Sequence, residues 1–276
     1  MTASTVRRLH VDLQAPIARH WCGGDPLRTA LFNALSMSFP VGEQFFIDAV
    51  RGGFEALPAD RQAQHAAQLR VFVGQEATHR RIHTLFNEHL ERQGLRNRWA
   101  PRVLERMKMF EGADPRHALA MTAANEHFTA LLAEWLLGHP ALLEGAEPRL
   151  QTLWLWHASE EAEHKATAFD IYQALQGNRH WRMVWFRRAT VMLVSDLARQ
   201  TLRNLHDDGS LWQTRTWASA FHVLLGRGGL VRTSWRPWLQ YLRHDFHPDQ
   251  LTSPLASQWL ERHHDAFTPL SAPDRS

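Results

Sequence analysis

A chain of 276 residues is long enough for one large domain or two small ones with a real core, and 44% apolar with 21% charged residues excludes disorder over most of its length. A net charge of +3, with no basic tail, argues against nucleic acid as a partner. The single cysteine, Cys22, excludes an internal disulfide and a cysteine-based zinc site; there is no apolar h-region at the N-terminus and no run of about 18 apolar residues, so the reading is a cytoplasmic protein without a spanning helix.

Residues 1–24 carry no clear period, end in Gly23-Gly24, and read as an extended N-terminal arm. Asp25-Pro26 then has the form of an N-cap followed by proline at the first helical position. A helical stripe runs through Leu27, Leu31, Leu35 and Phe39. Pro40 either kinks this helix or restarts it, because it has no N–H to donate. The continuation carries Glu43 with Phe46, Ile47 and Val50, and stops at Gly52-Gly53. Asp60 opens the next helix, which ends near Gly94, and Glu76, His79 and His83 fall on the same stripe as Phe72, Ile82 and Phe86. A short helix is expected from Pro101 to Phe110. Asp114-Pro115 caps another, running to Gly138 with Leu119, Glu126, Leu131 and Trp135 inside it. Pro148 opens a helix carrying Trp154, His157, Glu161, His164, Phe169 and Leu175, closed by Gly177.

From about residue 178 the composition shifts, and seven of the twelve tryptophans lie beyond it. A helix over about 180–206 sets Val184, Val191, Val194 and Leu197 against several arginines. It reads as a core helix with solvated arginines, or alternatively as a basic amphipathic helix on an anionic membrane surface. No strand-period segment of any length is apparent. The expected organisation is an arm over 1–24, a helix bundle over 25–177, a C-terminal helical extension over 178–267 and a loose tail over 268–276.

Residues three or four apart on a helix share a face, so Glu161, His164 and His157 point together, as do Glu76 and His79. The order Glu43, Glu76-x-x-His79, Glu126, Glu161-x-x-His164 is what a carboxylate-bridged pair of metal ions needs: one Glu from each of two helices and Glu-x-x-His from each of the others. Short links around Pro58 and Pro140 make antiparallel pairs, and residues 94–114 supply a crossover. The fold expected is therefore all-α, a ferritin-like four-helix bundle with a dimetal site and additional C-terminal helices. Glu134 competes with Glu126, and Glu160 and Glu163 compete with Glu161. Glu163 lies off the His164 face, and Glu160 matches the Glu76–His79 spacing less well. His157 is read as a further nitrogen ligand, its alternative being a histidine that orients a carboxylate. His83 and Glu160 are read as orienting residues behind the ligands, and His127 as an orienting or surface residue.

The runs Phe39-Pro40-Val41-Gly42-Glu43-Gln44-Phe45-Phe46, Gln75-Glu76-Ala77-Thr78-His79, Asn125-Glu126-His127-Phe128 and Trp156-His157-Ala158-Ser159-Glu160-Glu161-Ala162-Glu163-His164-Lys165 resemble a bacterial family described as predicted metal-dependent hydrolases, over about residues 10–260. That resemblance implies a ferritin-like core. The set Glu43, Glu76, His79, Glu126, His157, Glu161, His164 is also similar to the ligands of the diiron arylamine N-oxygenases, a likeness of the site and not of the chain. The function expected is a dimetal enzyme, with iron ahead of manganese or zinc, that activates dioxygen to oxidise a small, partly apolar substrate. Its alternatives are dimetal hydrolysis of an ester or phosphoester and a membrane-associated metal-binding protein. The partners expected are a small molecule and, for an oxygenase, an electron donor; pairing into a homodimer is compatible with such bundles.

Overall fold

The computed structural model describes residues 5–251 and 253–270, and among these the chain is helical apart from loops and two short strands. Helix α1 (Pro26–Glu55) starts where its sequence signals: the Asp25 carboxylate accepts from the Arg28 N–H, and Pro26 occupies the first turn. It runs through Pro40 without restarting. Pro40 leaves the Ser36 carbonyl four residues back without its helical donor. The Asn87 side-chain amide takes that carbonyl at 2.9 Å, and Asn97 donates to the neighbouring Met37 carbonyl at 2.7 Å. The helix therefore stays continuous because its neighbours supply the missing donor.

Helix α2 (Ala59–Arg92) begins one residue before Asp60, which sits in its first turn, where a carboxylate suits the positive end of the helix. The short helix expected next is divided: α3 (Ala100–Met107) passes into a 3-10 turn over Lys108–Phe110. Helix α4 (Pro115–Gly138) is capped by Asp114, which accepts from the Arg116 N–H. The single helix expected over 148–177 is two, α5 (Pro148–His164) and α6 (Thr167–Ala174), separated at Lys165-Ala166. Neither proline nor glycine marks that break. The Lys165 ammonium donates to the Leu251 carbonyl of the C-terminal region. Helices α7 (Arg179–Asp207), α8 (Thr214–Leu225), α9 (Leu230–Gln240) and α10 (Leu255–Arg262) follow.

The short links make α1 and α2 neighbours, and likewise α4 and α5, while α1 also packs on α4 and α2 on α5. The C-terminal helices wrap this set: α7 lies on α1 and α4, α8 on α1, α9 on α4, and α10 on α5. The buried face of α7 is not the one its valines suggest. Met183, Trp185, Phe186 and Ala189 are buried, whereas Val191 and Val194 are 68% and 59% exposed. Arg182 is buried too, donating to the Arg243 and Phe246 carbonyls and lying over the Tyr241 ring. The face expected to meet core or membrane is thus rotated, because packing on α1 and α4 claims the other side. No helix among the described residues is long and apolar enough to cross a membrane.

Strand β1 (Arg7–Leu9) in the arm pairs antiparallel with β2 (Phe267–Pro269), with Leu9 opposite Phe267. The first residues of the expected loose tail are therefore held by the arm; residues 271–276 lie outside the described part. This pairing corrects the expectation of no strands, and three-residue strands are too short to leave a period in the sequence.

Candidate metal centre

Packing of α1, α2, α4 and α5 turns their polar stripes toward one another. Glu43 comes from α1; Glu76, His79 and His83 from α2; Glu126 from α4; His157, Glu160, Glu161 and His164 from α5. All are buried, none more than 4% exposed. The seven ligand candidates meet in one cluster. His157 Nε2 lies 2.9 Å from Glu161 Oε1, and His79 Nδ1 lies 3.3 Å from the same oxygen. His164 Nδ1 is 2.9 Å from Glu126 Oε2, while its Nε2 is 3.5 Å from Glu76 Oε1. Donor atoms of Glu76, His79, Glu161 and His164 all lie within 4.8 Å of one another, as do those of Glu43, His79 and His157. Two metal–ligand bonds of about 2.1 Å span about 4.2 Å at most, so these groups are near the size of a first-row ion's coordination sphere.

The cluster has many donors and few protons to fill it. Both oxygens of Glu43 and of Glu76, one oxygen each of Glu126 and Glu161, Nδ1 of His79 and Nε2 of His164 are buried without a hydrogen-bond partner. No Lys or Arg forms an ion pair with Glu43, Glu76, Glu126 or Glu161 among the described residues. Ionising four buried carboxylates that have no Lys or Arg partner is costly, and two divalent ions carry the charge that matches all four. The residues present therefore fit a pair of metal ions.

A sequence model described as predicted metal-dependent hydrolase matches residues 5–252. The chain belongs to the predicted metal-dependent hydrolase family. No curated protein and no solved structure matches it. The match runs from the arm through α9, so it covers α1–α9 and stops short of α10.

Around the cluster, hydrogen bonds fix how each imidazole is presented. His79 Nε2 donates to Glu160 Oε2 at 3.0 Å, which turns Nδ1 toward Glu161 and Glu43. Glu160 is in turn held by the Arg7 guanidinium at 3.0 Å, and the same guanidinium grips Glu163 at 2.8 Å. Glu160 thus bridges Arg7 and His79, and Glu163 belongs to the Arg7 and Gln75 network. Glu134 is only partly buried and acts electrostatically on Lys165, away from Glu126. On the other side, Asn87 Oδ1 accepts from Ser36 Oγ, so Ser36 Oγ accepts from His83 Nδ1 at 2.9 Å. His83 Nε2 then accepts from His157 Nδ1 at 2.6 Å. The direction of this chain leaves the lone pair of His157 on Nε2, aimed at the Glu161 carboxylate, an arrangement that a cation between them relieves.

The ionisation of the metal-free cluster follows from burial and charge. Burial, then repulsion among the carboxylates, raises Glu76 well above the usual range; burial also raises Glu43 well above it, and Glu126 above its ordinary value. Glu161 goes the other way: burial opposes it, but the neighbouring imidazoles, His164 foremost, hold it well below. For His79, burial is outweighed by the hydrogen bond to Glu160 and the nearby Glu161 carboxylate, which push it up to about 10. Burial and the neighbouring His79 hold His157 down at about 4. His127 is not a surface residue. It is enclosed by Phe186, Tyr241 and Phe246, and burial keeps it neutral with a pKa of about 3.

The sequence alone missed Arg7, Ser36 and Asn87. Each is ordinary in its local context, and only the approach of the arm and of α1 to α2 gives it a role.

Proposed function

We propose that α1, α2, α4 and α5 form a ferritin-like four-helix bundle that holds two metal ions, and that the chain uses them to hydrolyse an ester. The observation that carries this is the set of unpartnered, buried carboxylate and imidazole atoms contributed by all four helices, in a chain of a metal-dependent hydrolase family. Glu43, His79 and His157 would hold one ion, and Glu76, Glu161 and His164, with Glu126 beside them, the other. Bound there, such ions supply Lewis acidity toward a carbonyl or phosphoryl oxygen and make water acidic enough to attack at neutral pH. The chain's own contribution is to fix the donors and exclude bulk water. Glu160 and His83 hold the imidazoles of His79 and His157 in orientation. Glu43 borders an apolar cavity, so a substrate lying there meets the cluster at this carboxylate.

A second reading, oxidation by dioxygen, is supported by the donor set itself. Four carboxylates with three imidazoles suit iron and manganese as well as zinc. One experiment separates the two. Protein purified without added metal is analysed for zinc, iron and manganese, and ester turnover is measured with and without oxygen. Two equivalents of metal and oxygen-independent turnover that a chelator abolishes support hydrolysis. A metal-free protein overturns both readings. Oxygen-dependent substrate loss, with a transient absorbance on mixing the ferrous protein with O2, supports oxidation instead.

A further inference from the structure

Two cavities run along the groove between α1 and α4. The larger, about 910 Å³ including its open mouth, touches Glu43 at its inner wall. The smaller, about 430 Å³, touches His157 and Glu161. They share the lining residues Leu35, Phe39, Thr129 and Leu132. On α1 the lining of the larger cavity extends from Leu35 to Phe46. The eleven helical rises from Leu35 to Phe46 are about 17 Å long, so the larger space is elongated and not globular.

The walls are apolar in effect as well as in composition. Apart from the candidate ligands, the polar side chains that face the larger cavity are already engaged. Ser38 donates to the Leu35 carbonyl, Asn125 to the Met121 carbonyl and Thr129 to the Glu126 carbonyl. Arg106 pairs with Asp196. A sugar, a nucleotide or a peptide would bury polar groups there without partners. Met107, Met109, Met121 and Met192 line the same space and adapt to a flexible chain. The mouth lies near Met109, which is 47% exposed.

We infer that this groove is the tail site for an unbranched acyl chain, and that the ester cleaved is a fatty acyl ester. The acyl chain lies in the larger cavity with its carbonyl beside Glu43. This rests on the hydrolytic reading above. In the reaction the acyl C–O bond breaks, the oxygen of water bonds to the acyl carbon, and the proton goes to the departing alkoxide.

The test titrates butanoate, hexanoate, octanoate and decanoate into the protein as purified and into the metal-stripped protein. Each added methylene tightens binding by about fourfold until the chain outgrows the groove, and this dependence is present in both forms. Gly42 lines the larger cavity, and the place a Cβ would take there has no packed neighbour within 4 Å. Gly42→Leu therefore fills the groove from a position that α1 tolerates, and Met192→Phe fills it from α7. Each weakens decanoate binding by at least about tenfold, while the metal content equals that of the parent. A flat affinity series, or decanoate binding untouched in both variants, overturns the assignment. Chain-length-dependent binding without turnover of decanoyl esters supports the tail site and overturns hydrolysis.

Discussion

His157 Nδ1 donates to His83 Nε2 at 2.6 Å, and the Nε2 of the same imidazole faces Glu161 Oε1 at 2.9 Å. One ring therefore links a neutral hydrogen-bond chain, anchored on Asn87, to the carboxylate at the middle of the cluster. Two substitutions separate its roles. His157→Ala is expected to lose one metal equivalent, because it removes a donor atom. His83→Ala keeps both equivalents but weakens metal binding by about 10- to 100-fold, the usual effect of losing an orienting partner. Metal analysis and competition with a chromophoric chelator read both. Full stoichiometry in His157→Ala makes His157 an orienting residue instead.

Arg7 is expected to matter out of proportion to its place in the arm. Its side chain is 10% exposed and faces Glu160, which is wholly buried. Arg7→Met leaves Glu160 and Glu163 without their cation, and breaking a buried pair from one side is destabilising by about 3–5 kcal/mol. Urea denaturation of the metal-stripped protein measures this. A change below about 1 kcal/mol means that Gln75 or solvent replaces Arg7.

The stripped protein should lose stability as pH rises from about 6.5 to 10. Glu43, Glu76 and Glu126, raised by burial, keep their protons to a higher pH when folded than when unfolded, so the stability they contribute is lost as pH rises toward their folded values. His79, pushed up to about 10, contributes stability that is fully present below its unfolded value near 6.5 and lost as pH passes 10. Both effects have the same sign in this window. Below it, His157 and His83, held neutral when folded, oppose the trend. Metal binding at pH 7 should accordingly release protons. Calorimetric titration in two buffers of different ionisation enthalpy detects them; identical heats would refute the protonated cluster.

Cys22 is fully buried, and burial pushes its thiol up to about 12. It should not react with a thiol reagent at pH 8 until the chain unfolds. Because the unfolded thiol ionises from about pH 9, the folded state loses up to about 1.4 kcal/mol per pH unit from this group between about pH 9 and 12. Time courses with and without urea check the reactivity, and rapid labelling of the native protein would contradict the burial.

The helices and the candidate ligands were legible in the sequence for a local reason. Caps such as Asp25 and Asp114, and a 3.6-residue period that sets Glu76 with His79 and Glu161 with His164 on apolar faces, are properties of each segment by itself. What the sequence could not determine was which groups meet across segments. Arg7 reaches Glu160 over 153 residues of chain, and Ser36 meets His83 over 47. The break at Lys165-Ala166, the rotated face of α7 and the pairing of Leu9 with Phe267 depend likewise on neighbours distant in sequence. Helical periodicity assigns a side chain to a face. Only tertiary packing decides what that face meets, because burial and hydrogen-bond satisfaction are settled between elements and not within them.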